Sequence, residues 1–468
     1  MEKYDVVVIG AGPGGYPAAI RAAQLGAKVA IAEKEELGGT CLNHGCIPTK
    51  ALIASASLYT EIKHLGNRGI VCQGLSIDFP ALMRHKNTVV DQLRTGVSQL
   101  IKANGIALIK GTGSFETRNR IAIQPAGADA QPTTVEADAT IIATGSTSAV
   151  PGFIPRNERV VESRAFLAME KLPQRLLVLG GGYIGCELAA MAAQLGSAVT
   201  IVELLDDILV EMDPDARREI RQSMEKRLDV RILTGKPMER IEANSKEVVG
   251  FVDGKPLRAD CLLVAIGRKP VTDGLALAKA GLAANEKGYI EVDACGRTKV
   301  ASIYAVGDVT GGPQLAHAAT SQGIIAAENI RGSAPRKNET ITPAVIFTDP
   351  EMASVGLTEK RAEKDGRAIK TGKFLFRGLG KGVASDQTTG FAKWIADAET
   401  DQLLGATVVG PHATDLIGEA TLAIRNELTA EEVGRTIHAH PTFTEIWMEA
   451  AHALHGTAIH APPRGKKK

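Results

Sequence analysis

Two cysteines near the N-terminus have the spacing and surroundings of a redox pair. Cys41 and Cys46 flank the residues Leu-Asn-His-Gly, and Gly38-Gly39 precedes them. A regular helix points residues five positions apart to different sides, so a bridge between these sulfurs requires distorted backbone, which glycine permits. A strained, partly exposed disulfide is readily reduced. The pair is a candidate for a disulfide that is made and broken; the alternatives are two buried free thiols or an inert bridge.

A nucleotide-binding fingerprint stands shortly before the cysteines. A β-branched run leads into Gly10-Ala11-Gly12-Pro13-Gly14-Gly15, and a helical stretch follows. Gly10 allows a tight turn, Gly12 lets the backbone approach a pyrophosphate, and Gly15 lets helix and strand pack closely. Glu33, at the end of the next predicted strand, would accept hydrogen bonds from ribose hydroxyls. The strand before the glycines and the acid after them favour a dinucleotide site over an ordinary turn.

The same unit occurs again near the middle of the chain. Its glycines are Gly180, Gly182 and Gly185, and its acid is Glu203. A carboxylate at this point repels a 2′-phosphate and bonds a free 2′-hydroxyl, and the Leu-Leu-Asp-Asp that follows supplies no arginine, so NAD is favoured over NADP. Two nucleotides in one chain suit a flavoprotein, in which FAD stays tightly bound while a nicotinamide visits. Because the cysteine pair follows the first unit directly, FAD is assigned to the first and NAD to the second.

The far end of the chain offers a base for thiol chemistry. Thiol–disulfide exchange needs an attacking thiolate, and histidine moves protons near neutral pH. His438 and His440 stand close together, with Glu445 available to orient and charge an imidazole. On spacing alone, both histidines are better explained as ordinary surface or core residues.

In their order, these motifs resemble the flavin-dependent disulfide reductases, most closely the branch that oxidises dihydrolipoamide. Residues 38–50 are similar to the redox-active stretch of that family, residues 440–445 to its HPT-x-x-E signature, and His438 to an additional histidine of the lipoamide branch. The resemblance implies an α/β fold with two Rossmann-like dinucleotide-binding domains, for FAD and NAD, plus an α+β C-terminal dimerisation domain. His44 departs from the family pattern, which usually has an aliphatic residue there.

The resemblance also implies how the cysteines and the base divide the work. Dihydrolipoamide would lose a proton to His440, paired with Glu445, and attack the disulfide of the other subunit of a homodimer. Cys41 would exchange with the substrate, and Cys46 would lie against the flavin and pass electrons into it. NAD⁺ would be reduced to NADH in the second unit.

Further cofactor contacts follow from the resemblance. Lys50 would lie against the flavin ring, paired with Glu187 from the start of the second fingerprint helix; by itself, Glu187 is equally explained as an acid at a helix N-terminus. Asp308 would bind the ribityl chain of the flavin, and the backbone around Ala316 would line it. The remaining expected contacts are Gly113 and Gly145 for FAD and Gly267 for NAD.

Strand-then-glycine segments and prolines mark the expected domain boundaries. Residues 1–146 form the first part of the FAD-binding domain, residues 147–268 the NAD-binding domain, residues 269–340 the second part of the FAD or central domain, and residues 341–468 the interface domain.

Composition and residue spacing give no support for a nucleic-acid-binding, membrane-spanning or metal-binding protein. Lys and Arg number 54 against 53 acids, which gives no argument for a nucleic-acid partner. No long apolar run predicts a membrane span, and no cysteine or histidine spacing predicts a metal site. The N-terminal residues run directly into the first predicted strand and leave no room for a signal peptide, so a cytoplasmic location is expected. The isolated cysteines are expected to be buried free thiols: Cys72, Cys186, Cys261 and Cys295.

The resemblance implies lipoyl domains, or a lipoyl carrier protein, of a 2-oxo acid dehydrogenase or glycine cleavage complex as partners; which complex stays open. One rival is a related reductase with another substrate such as glutathione, against which Glu203 and the two histidines count. The other rival is a nucleotide-binding regulatory protein without turnover, against which the full set of cysteines, base and acid counts.

Overall fold

The N-terminal region forms a mostly parallel sheet. The computed structural model describes residues 1–127, 131–332 and 334–462, except for the side chain of Asn67. With strands numbered in chain order, this sheet contains β1 Glu2–Ile9, β2 Val29–Glu33, β3 Ala107–Lys110, β4 Thr112–Thr117, β5 Arg120–Gln124, β6 Thr133–Ile142 and β17 Ile303–Ala305. Its order is β3-β2-β1-β6-β5-β4, and β17 pairs in parallel with β6. A strand more than 150 residues further along the chain thus joins the first sheet.

A second parallel sheet lies between these two parts of the sequence. Its strands are β8 Val160–Glu162, β9 Arg175–Leu179, β10 Ala198–Val202, β11 Arg231–Leu233 and β15 Cys261–Val264, in the order β11-β10-β9-β15-β8. Beside it, β12 Arg240–Ala243, β13 Val248–Val252 and β14 Lys255–Ala259 form an antiparallel sheet. Where the chain enters and leaves this region, β7 Ser146–Ser148 pairs with β16 Arg268–Pro270.

The C-terminal region is built on an antiparallel sheet. Its strands are β18 Ala344–Ile346, β19 Glu351–Gly356, β20 Ile369–Leu375, β21 Phe391–Asp397 and β22 Leu403–Gly410, in the order β18-β19-β22-β21-β20. The buried rings of Trp394 and Trp447 pack with centroids 4.6 Å apart, which fixes the last long helix on this sheet.

Helices cover the sheets. They are α1 Gly15–Gln24, α2 Gly39–His44, α3 Cys46–His64, α4 Phe79–Ala103, α5 Ser163–Phe166, α6 Tyr183–Gln194, α7 Pro214–Lys226, α8 Ala316–Arg331, α9 Glu359–Lys364, α10 Gly380–Ala384, α11 Ala413–Arg425, α12 Ala430–Arg435 and α13 Glu445–Leu454. Short 3₁₀ turns occupy Leu65–Arg68, Leu277–Ala280, Gly307–Thr310 and Phe376–Gly378. In the part of the chain that the structure describes, no helix is both long and apolar enough to cross a bilayer.

The predicted α/β class, with two Rossmann-like parallel sheets and a C-terminal α+β region, is confirmed. One detail of the prediction needs correction. Glu187 does not stand at the start of α6, because the helix begins at Tyr183 and has no acid in its first turn. The explanation of Glu187 as an acid at a helix N-terminus therefore has no support in the fold.

Candidate active site

The redox segment is two helices separated by one distorted residue. α2 ends at His44, Gly45 adopts φ −139° and ψ −106°, and α3 begins at Cys46. The cysteines therefore do not share one regular helix, and the break supplies the distortion that a bridge between them needs. Both cysteines are half-buried free thiols in this structure. The isolated cysteines are also free thiols, but only Cys186 and Cys261 of these four are buried as expected, whereas Cys72 is exposed and Cys295 is half-buried.

The two thiols have different acidities. The hydrogen bond between them, reinforced by burial, raises the pKa of Cys41. The same hydrogen bond lowers the pKa of Cys46, and the positive charge of Lys50 lowers it further, against the effect of burial. In the reduced pair, Cys46 is thus the sulfur that carries negative charge more readily, and Cys41 is the sulfur that keeps its proton.

The Lys50 cation is held by groups from two other parts of the chain. Its Nζ lies 2.7 Å from Oε2 of Glu187 on α6 and 4.4 Å from the centroid of the Phe347 ring, just after β18. Oε1 of Glu187 accepts the Phe347 N–H at 3.0 Å. The Glu187 side chain is 5% exposed, so its charge is compensated inside the protein by Lys50.

The first glycine loop is shaped for close backbone approach. Gly10 has φ +102°, and a Cβ there would lie 2.4 Å from the Ala143 carbonyl oxygen. A Cβ at Gly15 would lie 1.9 Å from the Gly10 oxygen, so neither position tolerates a side chain. At Gly12, the nearest described heavy atom to an added Cβ is 3.8 Å away, which leaves the space that a phosphate needs. The carboxylate of Glu33 accepts the Ala11 N–H at 2.7 Å beside this space.

The redox segment packs directly on this loop. The Gly38 N–H donates to the Ala11 oxygen at 2.9 Å, and a Cβ at Gly39 would lie 2.6 Å from the Gly12 Cα. Gly38 and Gly39 both have positive φ, 95° and 58°. Whatever binds at the first loop therefore also lies close to the cysteines.

The second glycine loop repeats the geometry of the first. Gly180 has φ +107°, a Cβ at Gly185 would lie 2.1 Å from the Gly180 oxygen, and a Cβ at Gly182 would have no described heavy atom within 4 Å. Glu203 accepts the Gly181 N–H at 2.6 Å, as Glu33 accepts that of Ala11. Both loops thus fit a dinucleotide by the same construction.

The other predicted cofactor residues have mixed surroundings. Asp308 accepts a hydrogen bond from Ser146 and lies 3.8 Å from Nε of Arg268, where the chain crosses between the parallel sheets. Gly145 and Gly267 have positive φ and open surroundings, and Ala316 begins α8. A Cβ at Gly113 would lie 3.0 Å from the Ile9 side chain, so close packing alone explains why glycine occupies this position.

The histidine motif pairs an exposed imidazole with a carboxylate. Nδ1 of His440 lies 2.9 Å from Oε1 of Glu445, whose other oxygen accepts the Thr442 N–H at 2.9 Å. Burial opposes ionisation of Glu445, but the Thr442 N–H and the His440 ring together lower its pKa. The His440 side chain is 72% exposed, so its imidazole can reach a group outside this chain's own surface.

His438 has a different environment. Its side chain is 5% exposed, and its ring lies 2.8 Å from Glu419 and 2.9 Å from the Thr436 oxygen. The Glu419 hydrogen bond raises the pKa of His438 against the effect of burial. These contacts give His438 a structural reason to be present.

The structure brings Cys41, Cys46, Lys50 and Glu187 together, and it places His440 elsewhere. Within the described residues, the ion pair of His440 is with Glu445, and no hydrogen bond joins it to the cysteines of the same chain. Among those residues, no group of three or more His, Cys, Asp or Glu side chains could hold a metal ion.

Sequence reasoning missed two sets of neighbours. Phe347 lies against Lys50, and no local motif marks it. Arg217 and Arg221, on α7, reach Asp207 in the loop after β10, at 3.4 Å and 2.9 Å. Arginines are thus present near the second site, although the residues directly after Glu203 supply none.

Comparison with known proteins identifies the family. The protein-family model described as pyridine nucleotide-disulphide oxidoreductase matches residues 4–323. The family model for the dimerisation domain of these enzymes matches residues 342–451. Dihydrolipoyl dehydrogenase of Chlamydia muridarum is 44% identical over 468 residues, covering 99% of this chain and 100% of that protein. Dihydrolipoyl dehydrogenase of Haloferax volcanii is 44% identical over 462 residues, covering 97% of each.

Solved structures agree with this result. LpdA from Mycobacterium tuberculosis superimposes with a TM-score of 0.90 at 28% identity, covering 97% of this chain and 100% of that one. The HOCl-induced flavoprotein disulfide reductase RclA from Escherichia coli superimposes with a TM-score of 0.86 at 28% identity, covering 97% and 99%. The resemblance inferred from the motifs is confirmed, and the chain belongs to the pyridine nucleotide-disulphide oxidoreductase family.

Proposed function

We propose that the chain oxidises the dithiol of dihydrolipoamide to lipoamide and reduces NAD⁺ to NADH, as an FAD-dependent dihydrolipoyl dehydrogenase. The observation that carries this is the redox segment packed on the first glycine loop, with one thiol kept protonated and the other favoured as thiolate. Relatives named dihydrolipoyl dehydrogenase, similar over their full length, support the choice of substrate.

FAD and NAD are the cofactors of this activity. Gly12 and Glu33 would hold the pyrophosphate and ribose of FAD, and Gly182 and Glu203 those of NAD, because the two loops share one geometry. Other residues proposed at FAD are Gly10, Gly15, Lys50, Gly113, Gly145, Asp308 and Ala316, and at NAD Gly180, Gly185 and Gly267. When bound, FAD supplies two-electron exchange between a dithiol and a nicotinamide.

The protein's own side chains perform the thiol steps. Nδ1 of His440 is held by Glu445, so Nε2 takes the proton of one substrate thiol. The resulting thiolate attacks Sγ of Cys41, the Cys41–Cys46 bond breaks, and Cys46 leaves as a thiolate favoured by the Lys50 charge. The second substrate thiol then attacks the mixed disulfide at the substrate sulfur. This step closes the lipoamide disulfide and frees Cys41 as a thiolate, which takes the proton that the second substrate thiol loses.

We propose that a homodimer completes the site. The exposed His440 of one protomer would serve the cysteine pair of the other, which agrees with its separation from the cysteines of its own chain. The dimerisation-domain match over residues 342–451 supports this assembly. The proposed partners are lipoyl domains or lipoyl carrier proteins, and a cytoplasmic location suits a thiol pair that must be reducible.

We also propose domain boundaries. Residues 1–146 and 269–340 belong to the FAD and central domain, supported by β17 pairing with β6. Residues 147–268 form the NAD-binding domain, bounded by the β7–β16 pair. Residues from 341 onward form the interface domain; its last residues, 463–468, lie outside the described part of the chain.

The direct test is an assay of purified FAD-loaded protein with dihydrolipoamide and NAD⁺, followed by NADH absorbance. We expect turnover with this pair, and little with NADPH and glutathione disulfide. Turnover with glutathione disulfide and none with dihydrolipoamide would overturn the assignment of substrate.

A further inference from the structure

Phe347 meets both members of the ion pair beside the redox cysteines. The face of its ring lies 4.4 Å from the Lys50 ammonium, and its N–H donates to the Glu187 carboxylate at 3.0 Å. Lys50 lies on α3 beside the first parallel sheet, Glu187 lies on α6 beside the second parallel sheet, and Phe347 follows β18 of the C-terminal sheet. The three residues therefore connect all three regions of the chain.

Each contact restricts the ion pair in its own way. The Glu187 carboxylate has one oxygen on the Phe347 N–H and the other on Lys50, so it cannot rotate without losing a hydrogen bond. The Lys50 side chain is 29% exposed, and the ring covers one side of its ammonium. A cation over an aromatic face is attracted by the ring quadrupole, and the attraction grows as water is excluded.

We propose that Phe347 is a positioning residue, which holds the Lys50 ammonium on the Glu187 carboxylate and thereby fixes the positive charge next to Cys46. This inference deepens the proposed function, on which it rests. It means that the dimerisation domain contributes to the redox centre through a group that neither reacts nor carries charge.

The charge at Cys46 depends on a small set of neighbours. The titratable groups that face Cys46 are Cys41 from α2, Lys50 from α3, and Tyr183 and Glu187 from α6. Among these, Lys50 supplies the positive charge. Since the Phe347 side chain is neutral, its effect on Cys46 must pass through the positions of the charged groups that Phe347 contacts, Lys50 and Glu187.

The test is the pH dependence of Cys46 alkylation by iodoacetamide in FAD-loaded protein. A Cys41→Ser background removes the competing thiol, and peptide mass spectrometry reports modification at Cys46. Phe347→Leu keeps the N–H and an apolar side chain but removes the ring face, so water reaches the ammonium. We expect the alkylation midpoint to rise by about half a pH unit, the scale of a modest cation–π contact.

Two further variants separate positioning from general destabilisation. Phe347→Tyr keeps the ring face and should restore the original midpoint. Phe251→Leu, on β13 of the separate antiparallel sheet, removes another ring with a cation over it, the Arg240 guanidinium at 3.9 Å, and should leave the midpoint unchanged. An unshifted midpoint in Phe347→Leu would overturn the proposal, as would equal shifts in all three variants. Because the readout is thiol reactivity, a failure to turn over dihydrolipoamide bears on the proposed function and not on this inference.

Discussion

The reactive side chains each have their charge set by one or two immediate neighbours. Cys41 and Lys50 lower the pKa of Cys46, and Thr442 and His440 lower the pKa of Glu445. The charges on these side chains are therefore set by hydrogen bonds and a neighbouring charge from residues within five positions in sequence. At this scale, the sequence predicts that the two cysteines lie on either side of a distorted glycine, because the residues that cause the distortion are local.

His438 gives a pH-dependent test at the residue scale. Its folded-state pKa is raised above the ordinary value by the Glu419 hydrogen bond. The pair therefore stabilises the fold fully below the ordinary histidine pKa, about 6.5, and loses that contribution as pH rises through the folded pKa. Glu419→Gln should lower the free energy of unfolding by about 1 kcal/mol near that ordinary pKa, and by less in alkaline solution. Denaturant titrations at both pH values measure the difference.

A surface pair provides the control for this test. Glu431, which is 60% exposed and pairs with Arg435, should show a much smaller effect when changed to Gln. A Glu419→Gln cost that grows with pH would contradict the assignment.

The elements were predictable to different degrees. Each glycine fingerprint predicts a strand, a turn and a helix. The prediction succeeds because the glycines are required by contacts with the loop itself and with the end of one adjacent strand. The sequence does not mark the start of α6 at Tyr183, since its N-cap, Gly182, has no capping side chain. The contact of Phe347 with Lys50 could not be predicted, because it depends on how the C-terminal sheet docks on α3 and α6.

The loop after β10 sets the expected nucleotide preference. Glu203 lies beside the second glycine loop, and Asp207 pairs with both nearby arginines of α7, Arg217 and Arg221, so that neither guanidinium is without a carboxylate partner. Wild-type protein should therefore favour NAD⁺ over NADP⁺ by a large factor in kcat/KM. The double change Glu203→Ala with Leu204→Arg should reduce the ratio of kcat/KM for NAD⁺ to kcat/KM for NADP⁺, because it removes the repelling carboxylate and adds a phosphate partner.

The matched control is Leu204→Arg alone. Because this variant keeps Glu203, it should reduce the ratio of kcat/KM for NAD⁺ to that for NADP⁺ by less than the double variant does. A wild-type preference for NADP⁺ would show that the second site has been assigned to the wrong nucleotide.

At the scale of the whole molecule, buried charges join the regions of the chain. Lys393 of the C-terminal sheet, 6% exposed, lies 2.6 Å from Asp213 at the start of α7, and Glu187 joins α6 to Lys50 and Phe347. The order of the motifs predicts which region comes next along the chain. It cannot predict these contacts, because each depends on docking between regions far apart in sequence.

Subunit mixing tests the proposed shared site. His440→Ala should lose roughly 100-fold in the thiol step, as expected for removal of a general base. Cys41→Ser should be inactive with dihydrolipoamide for a different reason. In a heterodimer of the two variants, one site combines an intact cysteine pair with an intact histidine, so part of the activity should return. Confirmed heterodimers that stay inactive, although wild-type subunits survive the same exchange, would rule out the shared site.

The central claim is that the Cys41–Cys46 pair is the route by which electrons leave the substrate. The most direct measurement compares two activities of FAD-loaded Cys41→Ser protein: dihydrolipoamide oxidation with NAD⁺, and reduction of an artificial dye by NADH. We predict that the first is lost and the second retained, because exchange between nicotinamide and flavin does not need the cysteines. Retained oxidation of dihydrolipoamide by this variant would contradict the account.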